Sequence, residues 1–297
     1  MDRLANIEAF VEAAERGSFT RAARRLRITP SALSRRVAQL EEHVGVRLFH
    51  RTTRALRLSA EGRAFFERAR AALRELHDAE TATSGLRARP AGVLRVAAPS
   101  ILGRHVVTPA LRSFLARHAE VQVELTLGDE PVDLASGAID VAVRMGTLAD
   151  SGLLARTLGR SEMRLCASPD YLARHGTPRS VAALGRHERL ALALHGRVVD
   201  WHLRAGQRER VVPPGQRVVV DSGDALVDFA VAGAGIAWVC DFMLDGPARA
   251  GHLVEILPET ASVSLPVHAL SLPSRHALPK VRAFVDLLAA ELAKSAR

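Results

Sequence analysis

Residues 17–37 read Gly17-Ser18-Phe19-Thr20-Arg21-Ala22-Ala23-Arg24-Arg25-Leu26-Arg27-Ile28-Thr29-Pro30-Ser31-Ala32-Leu33-Ser34-Arg35-Arg36-Val37, and local rules divide them into two short helices. Gly17-Ser18 stops whatever precedes, and Ser18 or Thr20 can cap a helix whose Phe19, Ala22, Ala23 and Leu26 supply one apolar face. Thr29 suits the N-cap of a second helix, with Pro30 at its first position, where a missing N–H costs nothing. There Leu33, Val37, Leu40 and Val44 recur at spacings of three and four, leaving Ser31, Ser34, Arg35 and Ala38 outward, and Gly45 ends the run. A helix that follows a tight turn and presents hydroxyls and a guanidinium near its start has the geometry for a DNA major groove. Its hydroxyls and N–H groups suit phosphates, and its arginine suits base edges.

Upstream, Leu4, Ile7, Phe10, Val11 and Ala14 form the stripe of a first helix. Downstream, Arg47-Leu48-Phe49 and Ala55-Leu56-Arg57-Leu58 read as strands around Arg51-Thr52-Thr53-Arg54, a wing whose basic tip fits a flanking minor groove. Spacing alone also admits a three-helix interaction module with a solvated arginine face. As one ungapped run, however, Ile7-Glu8-Ala9-Phe10-Val11, Gly17 to Ala23, Ser31-Ala32-Leu33-Ser34, Leu40-Glu41, Gly45, Leu48-Phe49, Arg51, Leu58-Ser59 and Gly62 resemble the DNA-binding signature of LysR-type transcription regulators. The resemblance implies contacts to double-stranded DNA from Thr29, Pro30, Ser31, Ser34 and Arg35 on the helix and from Arg51 and Arg54 on the wing. Thr29 stands where the family often has glutamine.

Charge distribution agrees. The 297-residue chain carries a net +9, with Lys280 and Lys294 its only lysines. Residues 1–58 hold twelve arginines against six acids, 59–89 six against five, and the remainder 23 cations against 21 acids. The positive excess therefore sits where a phosphate-binding surface is expected. The longest uncharged apolar stretch, Phe229 to Cys240, is too short to cross a bilayer, and charges interrupt any secretory core in the first twenty residues. The expectation is a cytoplasmic protein with no membrane contact. Cys166 and Cys240 have neither metal-ligand spacing nor a disulfide framework and read as buried thiols, although separation in sequence leaves a redox switch between them open.

From Ser59 to about Leu86 no proline occurs, and Phe65, Ala69, Ala72, Leu76, Ala79 and Thr83 repeat at intervals of four and three. Such a helix would reach about 40 Å at 1.5 Å per residue. Its stripe suits pairing with a second copy through Phe65, Ala69, Ala72 and Leu76, or packing against the chain's own larger domain. Gly85 and Arg87-Ala88-Arg89-Pro90 mark a hinge. The organisation is thus 1–58, a winged helix-turn-helix; 59–89, a dimerising linker helix and hinge; and 90–297, a larger domain.

In that domain, apolar runs at Val93 to Ala97, Val121 to Leu127, Ile139 to Arg144, Arg164 to Ala167, Arg217 to Val220, Ile236 to Val239 and Val267 to Leu272 alternate with helical patterns. The helices fall at Gly103 to His118, Glu130 to Gly137, Ser222 to Gly233 and Leu278 to Leu292. The alternation predicts an α/β domain with mainly parallel strands. Its order is similar to the effector domain of the same family, which implies a periplasmic-binding-protein-like fold (type 2) of two lobes, about 92–163 plus 267–297, and about 164–266. Ligands of such sheets sit at strand carboxyl ends and helix starts. That places Ser100 and Ile101, Gly128, Arg144, Asp221 and Ser222 as candidate contacts to a small, anionic effector, with Trp201 a further one. Helix capping and strand-end solvation are the competing roles.

The chain shows no phosphate loop, no zinc-binding His pair around a glutamate and no nucleophile elbow. Gly233-Ala234-Gly235 runs from helix to strand, the reverse of a dinucleotide loop, and the twelve histidines lack metal-ligand spacing. No enzyme activity, cofactor or metal is expected. A solute-binding protein would leave the basic helices unexplained, and an architectural DNA binder would leave the α/β domain unexplained. The expected protein is a regulator that binds DNA as a homodimer, assembles further to a tetramer and contacts RNA polymerase.

Overall fold

The structure, a computed structural model, describes residues 2–52, 55–83, 89–134, 137–148 and 152–295. It divides into two compact units, one carried by Met1–Ala88 and the other built from Arg89–Ala135 and Ile139–Arg297.

The first unit opens with α1 (Arg3–Arg16), capped by the Asp2 carboxylate, which accepts from the Ala5 amide at 3.1 Å, and closed by Gly17 at φ 57°. Ser18 caps α2 (Phe19–Arg25), and Thr29 caps α3 (Pro30–Val44) by accepting from the Ala32 amide at 3.2 Å. The antiparallel hairpin β1 (Phe49–Thr52) and β2 (Ala55–Leu58) follows, then the long helix α4 (Ala60–Thr83). Phe10 lies fully buried at the centre, its ring centroid 5.2 Å from that of Phe49. Three residues of the family-like run prove to be joints. The buried Glu41 carboxylate accepts from the amides of Leu48 and Phe49 at 2.8 and 3.1 Å, tying α3 to the wing. The Ser59 hydroxyl donates to the Arg47 carbonyl and accepts from the Gly62 amide, and a Cβ at Gly62 would stand 1.9 Å from the Leu48 carbonyl oxygen.

The expected seam of α4 is divided. Ala69 and the neighbouring Phe66 are buried in the core of this same unit and Phe65 packs against it, whereas Ala72 is exposed and Leu76 is 43% exposed. The N-terminal half is used within the chain because Phe10 offers it an aromatic partner, with centroids 5.5 Å from Phe65 and 6.5 Å from Phe66.

The second unit is two-lobed. The chain runs β3 (Gly92–Ala98), α5 (Ser100–Leu102), a π turn (Gly103–Val107), α6 (Thr108–Arg117), β4 (Val121–Leu127), β5 (Val141–Met145) and the long β6 (Leu154–Ala167). It continues through α7 (Pro169–His175), β7 (Ala191–Leu194), β8 (Arg197–Val198), the hairpin β9 (Trp201–Ala205) and β10 (Arg208–Val212), β11 (Val219–Val220), α8 (Gly223–Val231), β12 (Ala237–Cys240), α9 (Asp241–Arg249) and β13 (Val254–Ile256). It returns along β14 (Ser264–Ser271) to α10 (Pro273–His276) and α11 (Pro279–Ser295). The main sheet has the order β12-β6-β14-β5-β3-β4, with β13 also on β6. One strand serves both lobes: β6 pairs with β14 up to Glu162 and with β12 from Met163 onward.

Two expectations fail here. Among the described residues the ladders β3–β4, β3–β5 and β7–β11 run parallel and the others antiparallel, because the chain leaves the first lobe along β6 and re-enters it alongside on β14. The described part of Glu130 to Gly137 forms bends and a turn rather than a helix, consistent with Pro131, which disfavours helical backbone at Glu130. Each lobe has its own apolar core, Leu94, Val96, Phe114 and Phe284 in the first, Leu165, Leu190, Ile236 and Trp238 in the second.

A buried charge cluster sits in the first lobe. Asp140, 1% exposed, accepts from the Arg95 amide at 2.9 Å, with Arg275 Nη1 at 3.4 Å and Lys280 Nζ at 3.7 Å. Lys280 also donates to the Val93 carbonyl at 2.7 Å. Burial lowers the Lys280 pKa from the ordinary lysine value; Asp140 opposes that and the nearby Arg275 and Arg95 add to it.

Candidate functional site

The outward start of α3 carries Thr29, Pro30, Ser31 and Arg35 exposed and Ser34 half-buried, while Leu33, Val37 and Leu40 turn inward. The Thr29 hydroxyl is already engaged, capping the helix and lying 3.0 Å from the Ser31 hydroxyl. Arg51 belongs to β1, with its backbone paired opposite Leu56, but its side chain is outside the described ones; Arg54 lies outside the described residues. Sequence reasoning passed over Arg24, Arg25 and Arg27, which are exposed at the end of α2 and in the turn before α3. Their run of charge was the available signal.

Between the lobes of the second unit lies a cavity of about 610 Å³. The first lobe contributes Pro99, Ile101, Asp129 and Arg144; the second contributes His195, Asp200, Trp201, Leu226 and Trp238; Met163 on β6 and Val263 join them near the crossing strands. Of the expected contacts, Ile101, Arg144 and Trp201 line this cavity together. Ser100, Gly128 and Ser222 are set beside lining residues rather than among them, next to Ile101, Asp129 and Gly223, and Asp221 lies one residue further out. Ser222 caps α8 by accepting from the Ala225 amide, and the Gly128 amide donates to the Ala98 carbonyl. Trp201, ambiguous in sequence, is only 2% exposed.

The corner expected to accept an anion is already filled. The Ser100 amide donates to Asp129 Oδ1 at 3.3 Å. Arg144 donates from Nη1 to the Val143 carbonyl at 3.1 Å and from Nη2 to the Glu130 carbonyl at 3.4 Å, holding the same loop. Burial lowers the Arg144 pKa from its ordinary value, with the Asp129 charge pulling it back. Beside the cavity the lobes are bridged: Asp224 on α8 faces His105 Nε2 at 2.7 Å and accepts from Arg104 Nη1 at 3.3 Å, both on the π turn. A Cβ on the adjoining Gly223 would stand 2.3 Å from Ile101 Cδ1, so the lobes meet closely there.

Both cysteines are buried, and burial pushes each thiol up to about 12. Among the described residues no group of three or more His, Cys, Asp or Glu could hold a metal ion, and no helix is long and apolar enough to cross a membrane.

Residues 4–63 match the family model described as a bacterial regulatory helix-turn-helix protein of the lysR family, and residues 87–293 match the LysR substrate binding domain. The chain is 38% identical over 289 residues to an HTH-type transcriptional repressor of Pseudomonas aeruginosa, covering 96% of this chain and 91% of the relative. It is 36% identical over 289 residues to the HTH-type transcriptional regulator CrgA of Neisseria meningitidis, with 96% of each chain covered. The solved structure of CrgA aligns at a TM-score of 0.63 and 35% identity over 97% of this chain and 98% of that one. A winged helix-turn-helix joined in one chain to a two-lobed effector domain defines a DNA-binding transcription regulator, not an enzyme. The chain belongs to the LysR family of such regulators.

Proposed function

We infer that this protein senses a small organic molecule in the interlobe cavity and thereby alters its grip on operator DNA. The observation that carries the reading is the mostly apolar cavity spanning both lobes, with one half-buried guanidinium, Arg144, on its wall. A guanidinium that burial penalises favours an acid group arriving beside it, so the effector is an apolar body with an anionic end. Ile101 and Trp201 would flank the body. Ser31, Ser34 and Arg35, with Thr29 and Pro30 setting the helix start and Arg51 and Arg54 on the wing, would contact DNA, and Arg24, Arg25 and Arg27 would add phosphate contacts. The working form is a homodimer paired in part through Ala72 and Leu76, assembling to a tetramer in the cytoplasm, where it can meet RNA polymerase.

Both tryptophans of the chain, Trp201 and Trp238, line the cavity. Intrinsic emission therefore reports its occupancy without labels. A screen of small organic acids should yield compounds that change emission in wild type and lose affinity in Arg144→Ala. Coupling to DNA requires reciprocity, so affinity for such a compound should change about 5- to 150-fold when operator DNA is present. Equal affinities with and without DNA would remove the sensing role.

A further inference from the structure

Among the described residues, five charged or imidazole side chains line the interlobe cavity, and their charges do not cancel. Arg144, on β5 of the first lobe, is the one guanidinium; Asp129, in the same lobe, and Asp200, in the link between β8 and β9 of the second, are two carboxylates; His195 and His202 complete the set. Three of the five have partners within the protein. Asp129 accepts from the Ser100 amide, the His202 ring lies 3.0 Å from Glu209, and Arg144 uses two N–H groups on the neutral carbonyls of Val143 and Glu130. Asp200 makes no hydrogen bond or ion pair among the described residues, and neither carboxylate is paired with Arg144. Opposite charges thus line one cavity from opposite lobes without meeting each other.

In an open cavity such groups are solvated. A guest that fills the cavity takes that solvent away, so each charge it covers needs a counterpart. An acid alone satisfies Arg144 but brings a third negative charge to two carboxylates and leaves Asp200 covered and unmatched. An amine alone reverses the fault, covering the guanidinium of Arg144, which is half-buried already. A guest that carries both charges leaves neither group unmatched, and the partly buried Ile101, Leu192 and Val199 on the same walls suit an apolar stretch between its ends. We propose that the effector is amphoteric, an apolar body with a carboxylate at one end taken by Arg144 and an ammonium at the other taken by Asp200, so that one molecule is bonded to both lobes. The proposal rests on the reading of this cavity as the effector site with Arg144 as its acid-binding group, and adds the second charge. A guest fastened at both ends binds best when the two lobes hold one spacing, and that is the differential affinity sensing requires.

Calorimetry on the full chain at about pH 8, where free imidazole is neutral and an alkylamine charged, tests it with octanoate, 8-aminooctanoate and octylamine, and with hexanoate and 6-aminohexanoate as a shorter pair. An apolar cavity with no cation site prefers the parent acids, because an ammonium costs desolvation. The proposal expects the reverse: at least one amino acid binds about tenfold tighter than its parent, and Asp200→Asn removes most of that advantage while octanoate binds as well or better. Asp200 is exposed, so the variant keeps the fold. No advantage for either amino acid, or one that survives Asp200→Asn, overturns the amphoteric assignment while the cavity remains an acid-binding site. If octylamine binds through Asp200 and neither the acids nor the amino acids bind, the acid-binding reading of Arg144 fails and takes this proposal with it. Binding of none of the five probes also overturns it.

Discussion

Asp129 accepts from the Ser100 amide at 3.3 Å and so fills, with the protein's own carboxylate, the corner at which the sequence suggested an anion contact. Asp129→Asn keeps the shape and an acceptor oxygen while removing a like charge from the path of an anion. If an acid binds beside Arg144, affinity for an organic acid found by the emission screen should rise at least about threefold, with the matched amide unaffected. Weaker binding of the acid would instead make Asp129 part of the ligand's support. A second residue of consequence is Asp140. With Arg275 and Lys280 buried around it, Asp140→Asn leaves cations without their counter-charge, and the expected loss, read from denaturant unfolding, is about 3–5 kcal/mol. The Lys280 pKa is lowered in the folded chain, so the folded state binds fewer protons than the unfolded one between the lowered value and 10.5. Stability linked to this group is fully present above 10.5 and is lost as pH falls through the lowered value. Relative to Lys280→Met, wild type should therefore gain stability as pH rises through that window; a constant difference would mean that Lys280 titrates as in the unfolded chain.

At the scale of elements, α3 separates folding from contact. Leu33, Val37 and Leu40 fasten it, and Arg35 on the other side does not. Arg35→Ala should weaken operator binding by about 1–3 kcal/mol with little change in melting temperature, as judged by gel shift and calorimetry on the same preparation. For α4, the placement of Phe65 and Ala69 in the core of their own unit leaves the exposed Ala72 and Leu76 as the free part of the stripe. Ala72→Glu should dissociate the dimer in sedimentation at micromolar concentration while leaving the Phe10 core folded; a dimer that persists would locate pairing elsewhere. The sequence showed the α4 periodicity plainly, but periodicity says which residues share a face, not who meets it. The same limit explains β7 to β10. The short β8 and β10, with Arg197, Arg208 and Arg210, lack the alternation that marks a half-buried strand, whereas β9 has it, Trp201 and Leu203 inward and His202 and Arg204 outward, but over only five residues. The helix caps were legible because each depends on one or two adjacent residues, as Thr29-Pro30 and Gly45 show. The cavity was legible only in part: Ile101, Arg144 and Trp201 sit near element ends, whereas Asp129, Met163 and Trp238 join them through pairings of β6 with distant strands.

In the molecule as a whole, the relation between the two lobes decides what a ligand can change. Asp224 reaches across from α8 to His105 and Arg104, and Gly223 packs on Ile101 beside the cavity. Asp224→Ala should cost about 1–2 kcal/mol in global stability, the exposed Arg104 pair being weak and the half-buried His105 contact an ordinary hydrogen bond. It should nonetheless speed hydrogen exchange of the amides at the start of α8, the sign of lobes that part more readily. Unchanged exchange would mean that apolar contacts alone hold them.

The place of β14 in the sheet has a consequence for how the chain is made. It lies between β5 and β6, yet Ser264 follows Met145 by about 120 residues. At roughly 5–20 residues per second on a ribosome, about 6–25 s pass between synthesis of one neighbour and arrival of the strand that covers its edge. Throughout that interval β5 and the first part of β6 each present an unpaired backbone edge, the kind of surface on which nascent chains join one another. The second lobe, whose strands β7 to β13 lie between those two points, can meanwhile complete its own core. The first lobe is begun first and finished last, and a chain cut short before Ser264 would be exposed to aggregation at that open seam.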